Sequence, residues 1–165
     1  ISGFWHERTY LDLWAAERHR ADWHTVAHGI NVVGDHENGR IYALDPETLT
    51  DAGTAIKHLR RVPHFAKNGK RMFHHSLTVD MEVGVGTSGT GQGVDPKLVL
   101  RFSDDGGRTW SNERAKSVGK IGEYRARVKF DRLGSARDRV YEIAITDPVK
   151  AVVLGAELEV SEGSH

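Results

Sequence analysis

Between residues 77 and 160 hydrophobicity alternates with a period of two, and that feature limits the possible folds more than any other. Leu77, Val79, Met81, Val83 and Val85 share one parity against Thr78, Asp80, Glu82 and Gly84. Leu98, Leu100 and Phe102 alternate with Lys97, Val99 and Arg101, and Tyr124, Ala126, Val128 and Phe130 with Arg125, Arg127 and Lys129. Tyr141, Ile143 and Ile145 alternate with Glu142, Ala144 and Thr146, and Val152, Leu154, Ala156, Leu158 and Val160 close the set. Side chains two apart on a strand share a face, so each run is a strand with one face turned inward. Such strands, joined by short turns, predict an all-β fold, an antiparallel β-sandwich-like domain over residues 71–160. The residues from Ser161 read as a frayed tail.

The patterning of residues 1–62 is less regular. Phe4 to Tyr10 reads as a strand, and Leu11 to Arg20, with helix-favouring Ala15, Ala16, Glu17 and Arg18, as an irregular connection. Trp23 to His28 is a second strand. Ile30 to Gly34 and Arg40 to Leu44 flank Asn38-Gly39, a strong hairpin signal. The pattern of an acidic loop, a glycine, an arginine and an aromatic two residues on returns later in the chain. Weak repeats of this sort mark propeller blades, so 1–62 is expected as a propeller-blade-like β segment preceding the sandwich. Ile56 to Val62 is expected to be extended, and Pro63 to Lys70 to be the boundary.

The turn after Phe102 is dense in residues that each have a local task. Asp105 can accept hydrogen bonds from nearby backbone N–H groups, Gly107 can take a positive φ, and Ser103 and Thr109 place hydroxyls at the strand ends. Trp110 offers a large apolar ring to the layer below. Ser103, Asp105, Gly107, Thr109 and Trp110 resemble the Asp-box, S-x-D-x-G-x-T-W, a structural hairpin of sialidases, propeller receptors and non-enzymes alike. The resemblance implies β architecture and a structural role for these five residues; the box alone also raises a carbohydrate-binding or sialidase-type propeller fragment as an alternative.

The remaining candidates for chemistry are sparse. Lys plus Arg equals Asp plus Glu at 23 each, so no global field draws the chain to nucleic acid or acidic lipid. Cysteine is absent, which excludes disulfides and thiolate metal sites. No apolar run approaches the roughly 18 residues of a membrane span, and no membrane partner is expected. The chain begins at Ile1 and reads as a piece of something longer. Gly84-x-Gly86-x-x-Gly89 matches a dinucleotide fingerprint in form, but Gly91, Gly93 and Asp95-Pro96 follow where a helix is needed, so no cofactor is expected. A mobile loop that orders against a neighbouring subunit is the expectation there, with Gly89 and Gly91 as candidate interface residues. Of ten histidines, His74 and His75 are adjacent and face opposite ways on a strand, and His24 and His28 lack a helix to align them. No metal site is expected. Arg125, Arg127 and Lys129, projecting together from one strand, are the second candidate interface, toward an acidic neighbour or DNA phosphates.

Several motifs in order carry a wider resemblance: Gly34-Asp35, Asn38-Gly39-Arg40-Ile41-Tyr42, Ser103 through Glu113, Gly122-Glu123-Tyr124, Arg127-Val128, Arg132-Leu133-Gly134, Arg137-Asp138-Arg139-Val140 and Asp147-Pro148-Val149. Across residues 5–158 the chain resembles the C-terminal part of the packaged-DNA stabilisation proteins, the tail accessory or hub factors, of short-tailed bacteriophages. The resemblance implies a non-enzymatic virion component without catalytic residues, assembled in the host cytoplasm. It implies a ring of copies below the portal and its adaptor, which helps retain the genome, carries the tail needle or tailspikes and contacts DNA at most indirectly.

Overall fold

The computed structural model describes residues 10–12 and 15–163. The expected strand from Phe4 lies, except for Tyr10, outside the described residues, as does Trp14. The described residues are all-β and divide into two compact units between Thr48 and Leu49.

In the first unit, β1 (Tyr10–Asp12) pairs antiparallel with β2 (Ala15–Glu17), where an irregular connection was expected. β3 (Ala21–Ala27), β4 (Ile30–Asp35) and β5 (Ile41–Ala43) form a three-stranded antiparallel sheet in that order. The Asn38-Gly39 turn joins β4 to β5 as the sequence predicts, with Asn38 Oδ1 accepting from Arg40 N at 2.9 Å. The Trp23 ring fills the place of a side chain at Gly34, where a Cβ would lie 1.9 Å from Nε1. His24, on strand β3, bonds Asn31 across the sheet.

The second unit opens with a small hairpin, β6 (Thr50–Asp51) and β7 (Thr54–Ala55). The strands that follow are β8 (His58–Arg61), β9 (Phe65–Ala66), β10 (Met72–Met81), β11 (Lys97–Ser103) and β12 (Arg114–Ser117). The set is completed by β13 (Val128–Asp131), β14 (Ser135–Ala136), β15 (Asp138–Ile145) and β16 (Val153–Glu162). One sheet is built on β10, with β16 along one side and β13 then β14 along the other. The second runs β12-β11-β15, and β8 then β9 line the free side of β15. Residues 58–66 therefore belong to this sheet, although the expected boundary lay at 63–70. Their partner is about 80 residues further on, beyond the reach of local patterning.

The core lies between the two sheets. Leu77, Val79 and Met81 of β10 meet Leu98 and Leu100 of β11, Val128 and Phe130 of β13, and Tyr141 and Ile145 of β15. Two register shifts set which residues point inward. β10 has an extra residue between His74 and Ser76, so the buried parity changes from Met72 and His74 to Leu77, Val79 and Met81. Between Asp80 and Met81 the partner strand β16 carries the extra residue, Leu154, which is 70 % exposed instead of inward. β16 also continues to Glu162, beyond the expected tail, because Glu162 is held by Lys67 and Lys70.

Candidate functional site

At the C-terminal end of β11 the chain turns through a loop wired by two side chains. Ser103, buried at the strand end, accepts from Gly107 N at 2.8 Å and donates to Asp105 Oδ1 at 2.7 Å. Asp105 also accepts from Arg108 N and Thr109 N, both at 2.9 Å, and from the Thr109 hydroxyl at 2.6 Å. Bonds from Thr109, then from Ser103 and Arg108, hold the Asp105 carboxyl far below the usual carboxylate range. Gly107 sits at φ +93°, a conformation side chains resist, and its carbonyl accepts from Trp110 Nε1 at 3.1 Å. All five motif residues thus converge on one closed loop. The Trp110 ring lies against cations, with the Arg101 guanidinium 4.4 Å and that of Arg61 5.1 Å from its centroid. That environment differs from the apolar layer expected for it.

Two charge clusters sit behind this loop. Glu142 is fully buried on β15, and each of its oxygens faces one arginine. Oε1 takes Arg101 Nε and Nη2 at 2.6 Å, and Oε2 takes Arg61 Nε at 2.7 Å and Nη2 at 2.5 Å. Arg139, equally buried, forks onto Asp104 at 2.5 and 2.7 Å and donates to Leu133 O. Burial is the largest single influence and opposes the Arg139 charge, but Asp104 and Tyr141 together outweigh it and the pKa rises above the ordinary arginine value. Its guanidinium lies 4.0 Å from the Phe102 centroid. Next to it, Tyr141 OH and His74 Nδ1 lie 2.8 Å apart, while the buried His74 Nε2 has no partner. Burial, and then the Arg139 charge, lower the His74 pKa to about 4, so the ring is neutral.

The opposite end of the sandwich is assembled from backbone. The segments 82–96, 118–127 and 146–152 cap it, with Gly84 N bonded to Val118 O, Val118 N to Pro96 O, and Thr87 N to Gly93 O. Asp147 accepts from Gly93 N at 3.2 Å and Lys97 N at 2.9 Å. A Cβ at Gly86 would lie 2.5 Å from Val94 O. The base of the glycine-rich segment is therefore packed rather than loose, with no helix following. Gly89 and Gly91 form its exposed tip, with open space around them.

Arg125, Arg127 and Lys129 do not share a strand face. Only Lys129 lies on a strand, β13, at 3.3 Å from Asp131, whereas Arg125 and Arg127 are exposed in a run of turns. Gly122 at φ +89° and the bond from Lys120 N to Glu123 Oε2 fold this segment before the strand can start. Tyr124, expected inward, is 70 % exposed and lies against Gly84. The buried Arg101 and Glu142 were missed because each falls on the parity that reads as wet, and Arg139, on the inward parity of β15, because an arginine reads as solvated. Among the described residues no group of three histidines, aspartates or glutamates is placed to hold a metal.

Residues 57–161, nearly the whole sandwich, match the family model described as "Bacteriophage P22 Gp10, beta-sandwich". No curated protein matches the chain.

Proposed function

The chain belongs to the bacteriophage P22 Gp10 beta-sandwich family, a phage tail structural protein of the virion, and from that membership we propose that it helps close the portal channel and stabilise packaged DNA. The match across the sandwich carries this reading. In it, copies form a ring below the portal and its adaptor, offer a platform to the tail needle or tailspikes, and touch DNA only indirectly. Many weak contacts repeated by symmetry then hold the genome without any reaction. The five residues of the closed loop serve as a structural Asp-box that stiffens one end of each subunit. Gly89, Gly91, Arg125 and Arg127, all exposed, and Lys129 are the proposed subunit or partner contacts.

What supports a scaffold over a catalyst is where the charges are spent. Asp105, Asp104, Arg139, Glu142 and Arg101 all face partners within the subunit. Sedimentation of the full-length protein with a purified portal–adaptor complex tests the proposal. Co-migration at a fixed ratio of copies is the expected outcome, and separate migration at all concentrations rejects it.

A further inference from the structure

β12 is an edge strand whose four residues are all exposed and whose only partner among the described residues is β11. Val118 N donates to Pro96 O, and the register continues through Lys116 opposite Leu98 and Arg114 opposite Leu100. Bonds in an antiparallel ladder alternate, so those are the bonded pairs, and Ala115 and Ser117 turn their N–H and C=O away from β11. Cross-strand partners share a face, which puts Arg114 and Lys116 on the side of buried Leu98 and Leu100. They lean over the open rim of the sandwich, where Arg114 Nη1 donates to Asp131 O at 2.9 Å and Arg132 O at 3.2 Å.

The result is a groove of about 510 Å³ between β12 and β13, lined by Arg114, Lys116, Phe130, Asp131 and Arg132. Its one carboxylate, Asp131, is already faced by Lys129 at 3.3 Å. In a chain of zero formal net charge this is a local excess of cations over an apolar floor. Inward-leaning charges on an open edge discourage indiscriminate pairing and favour a strand of opposite charge. A strand added beside β12 sends every second side chain toward the groove.

We propose that β12 is a strand-addition site for an extended segment of a partner protein carrying acidic residues at alternate positions. Of the chain's own alternating acids, Glu157 and Glu159 lie in β16, which is paired along its length with β10, and Asp80 lies in β10 itself with Glu82 on Lys150. Asp35 and Glu37 face Arg20, and Asp45 accepts from Glu47 N in a turn. The occupant is therefore a different protein. This inference stands whether or not the protein closes a portal.

The test is fluorescence anisotropy of the full chain with a labelled octapeptide of alternating glutamate and threonine. Saturable binding is expected, weakened about tenfold or more by Lys116→Glu and by Ala115→Pro, each of which removes one specific interaction. Proline at 115 deletes only an outward N–H, so an unchanged circular dichroism spectrum is expected. If that variant unfolds, the same peptide with alternate amides N-methylated makes the equivalent test against the wild-type chain. Absence of saturable binding, or binding that neither backbone change affects, overturns the proposal. Self-association abolished by Ala115→Pro also overturns it, since the occupant would then be a second copy.

Discussion

The two ends of the sandwich solve one problem, closing a set of loops over a core, with different chemistry. At the end formed by residues 103–111 the loops are held by side-chain charge: Asp105 on backbone N–H groups, Asp104 on Arg139, and Glu142 between Arg61 and Arg101. At the other end Gly84, Gly86 and Gly93 let backbone approach backbone, and Asp147 ties two segments together. The first is specified by which polar groups are present and by their ionisation, the second by which side chains are absent. Sensitivity to substitution and to pH should therefore divide between the two ends.

The largest effect is expected at Glu142. Glu142→Ala leaves two arginines, one of them buried, without their carboxylate, and urea denaturation should show a loss of about 3–5 kcal/mol. A loss under 1 kcal/mol would mean that the cluster contributes little to the charged end.

The next effect is one of pH at the same end. The folded pKa of His74 lies below its unfolded value of about 6.5, so the unfolded chain takes up the proton first. The stability due to neutral His74 is complete above about pH 6.5 and is lost as pH falls toward 4, about 3 kcal/mol in all. His74→Gln should flatten the stability profile in that window; an unchanged slope would assign the acid sensitivity elsewhere.

At the glycine end the comparison is sharpened by adding a methyl group. Gly86→Ala drives Cβ against Val94 O and should cost about 1–3 kcal/mol with no pH dependence. Gly155→Ala, with nothing within 4 Å, is the control and should stay within about 0.5 kcal/mol of wild type. Equal costs at the two positions would contradict close packing at Gly86.

The smallest effect is local. Asp105→Asn removes a charged acceptor from an exposed loop, so amide exchange at Gly107, Arg108 and Thr109 should quicken while the global midpoint moves little. In the wild-type chain the depressed Asp105 pKa keeps these amides protected above the ordinary carboxylate range. Protection is lost only as pH falls through the lower folded value.

Much of this was legible in the sequence, for reasons that also mark where legibility stops. Leu98, Leu100, Val128 and Phe130 lie on regular strands, and alternation placed them in the core. Ser103, Asp105, Gly107, Thr109 and Trp110 were readable because the bonds that close the loop among them are made within a few residues. Leu154 was misplaced because a bulge inserts one residue into a period of two, and a local pattern carries no mark of it. Tyr124 and Arg125 were misplaced because turns at Gly122 interrupt a run whose composition alone still alternates. Glu142 read as wet because β15 is covered on both faces, which depends on Arg61 and Arg101, 81 and 41 residues away. The relationship to short-tailed phage tail proteins was legible from the order of several motifs, none of which identifies it alone.

The most direct test of the account is genome retention in the phage that encodes this protein. Virions assembled with it are expected to keep their DNA protected from added nuclease, and particles assembled without it to package DNA and then lose it. Equal nuclease protection in both would contradict a role in stabilising the packaged genome.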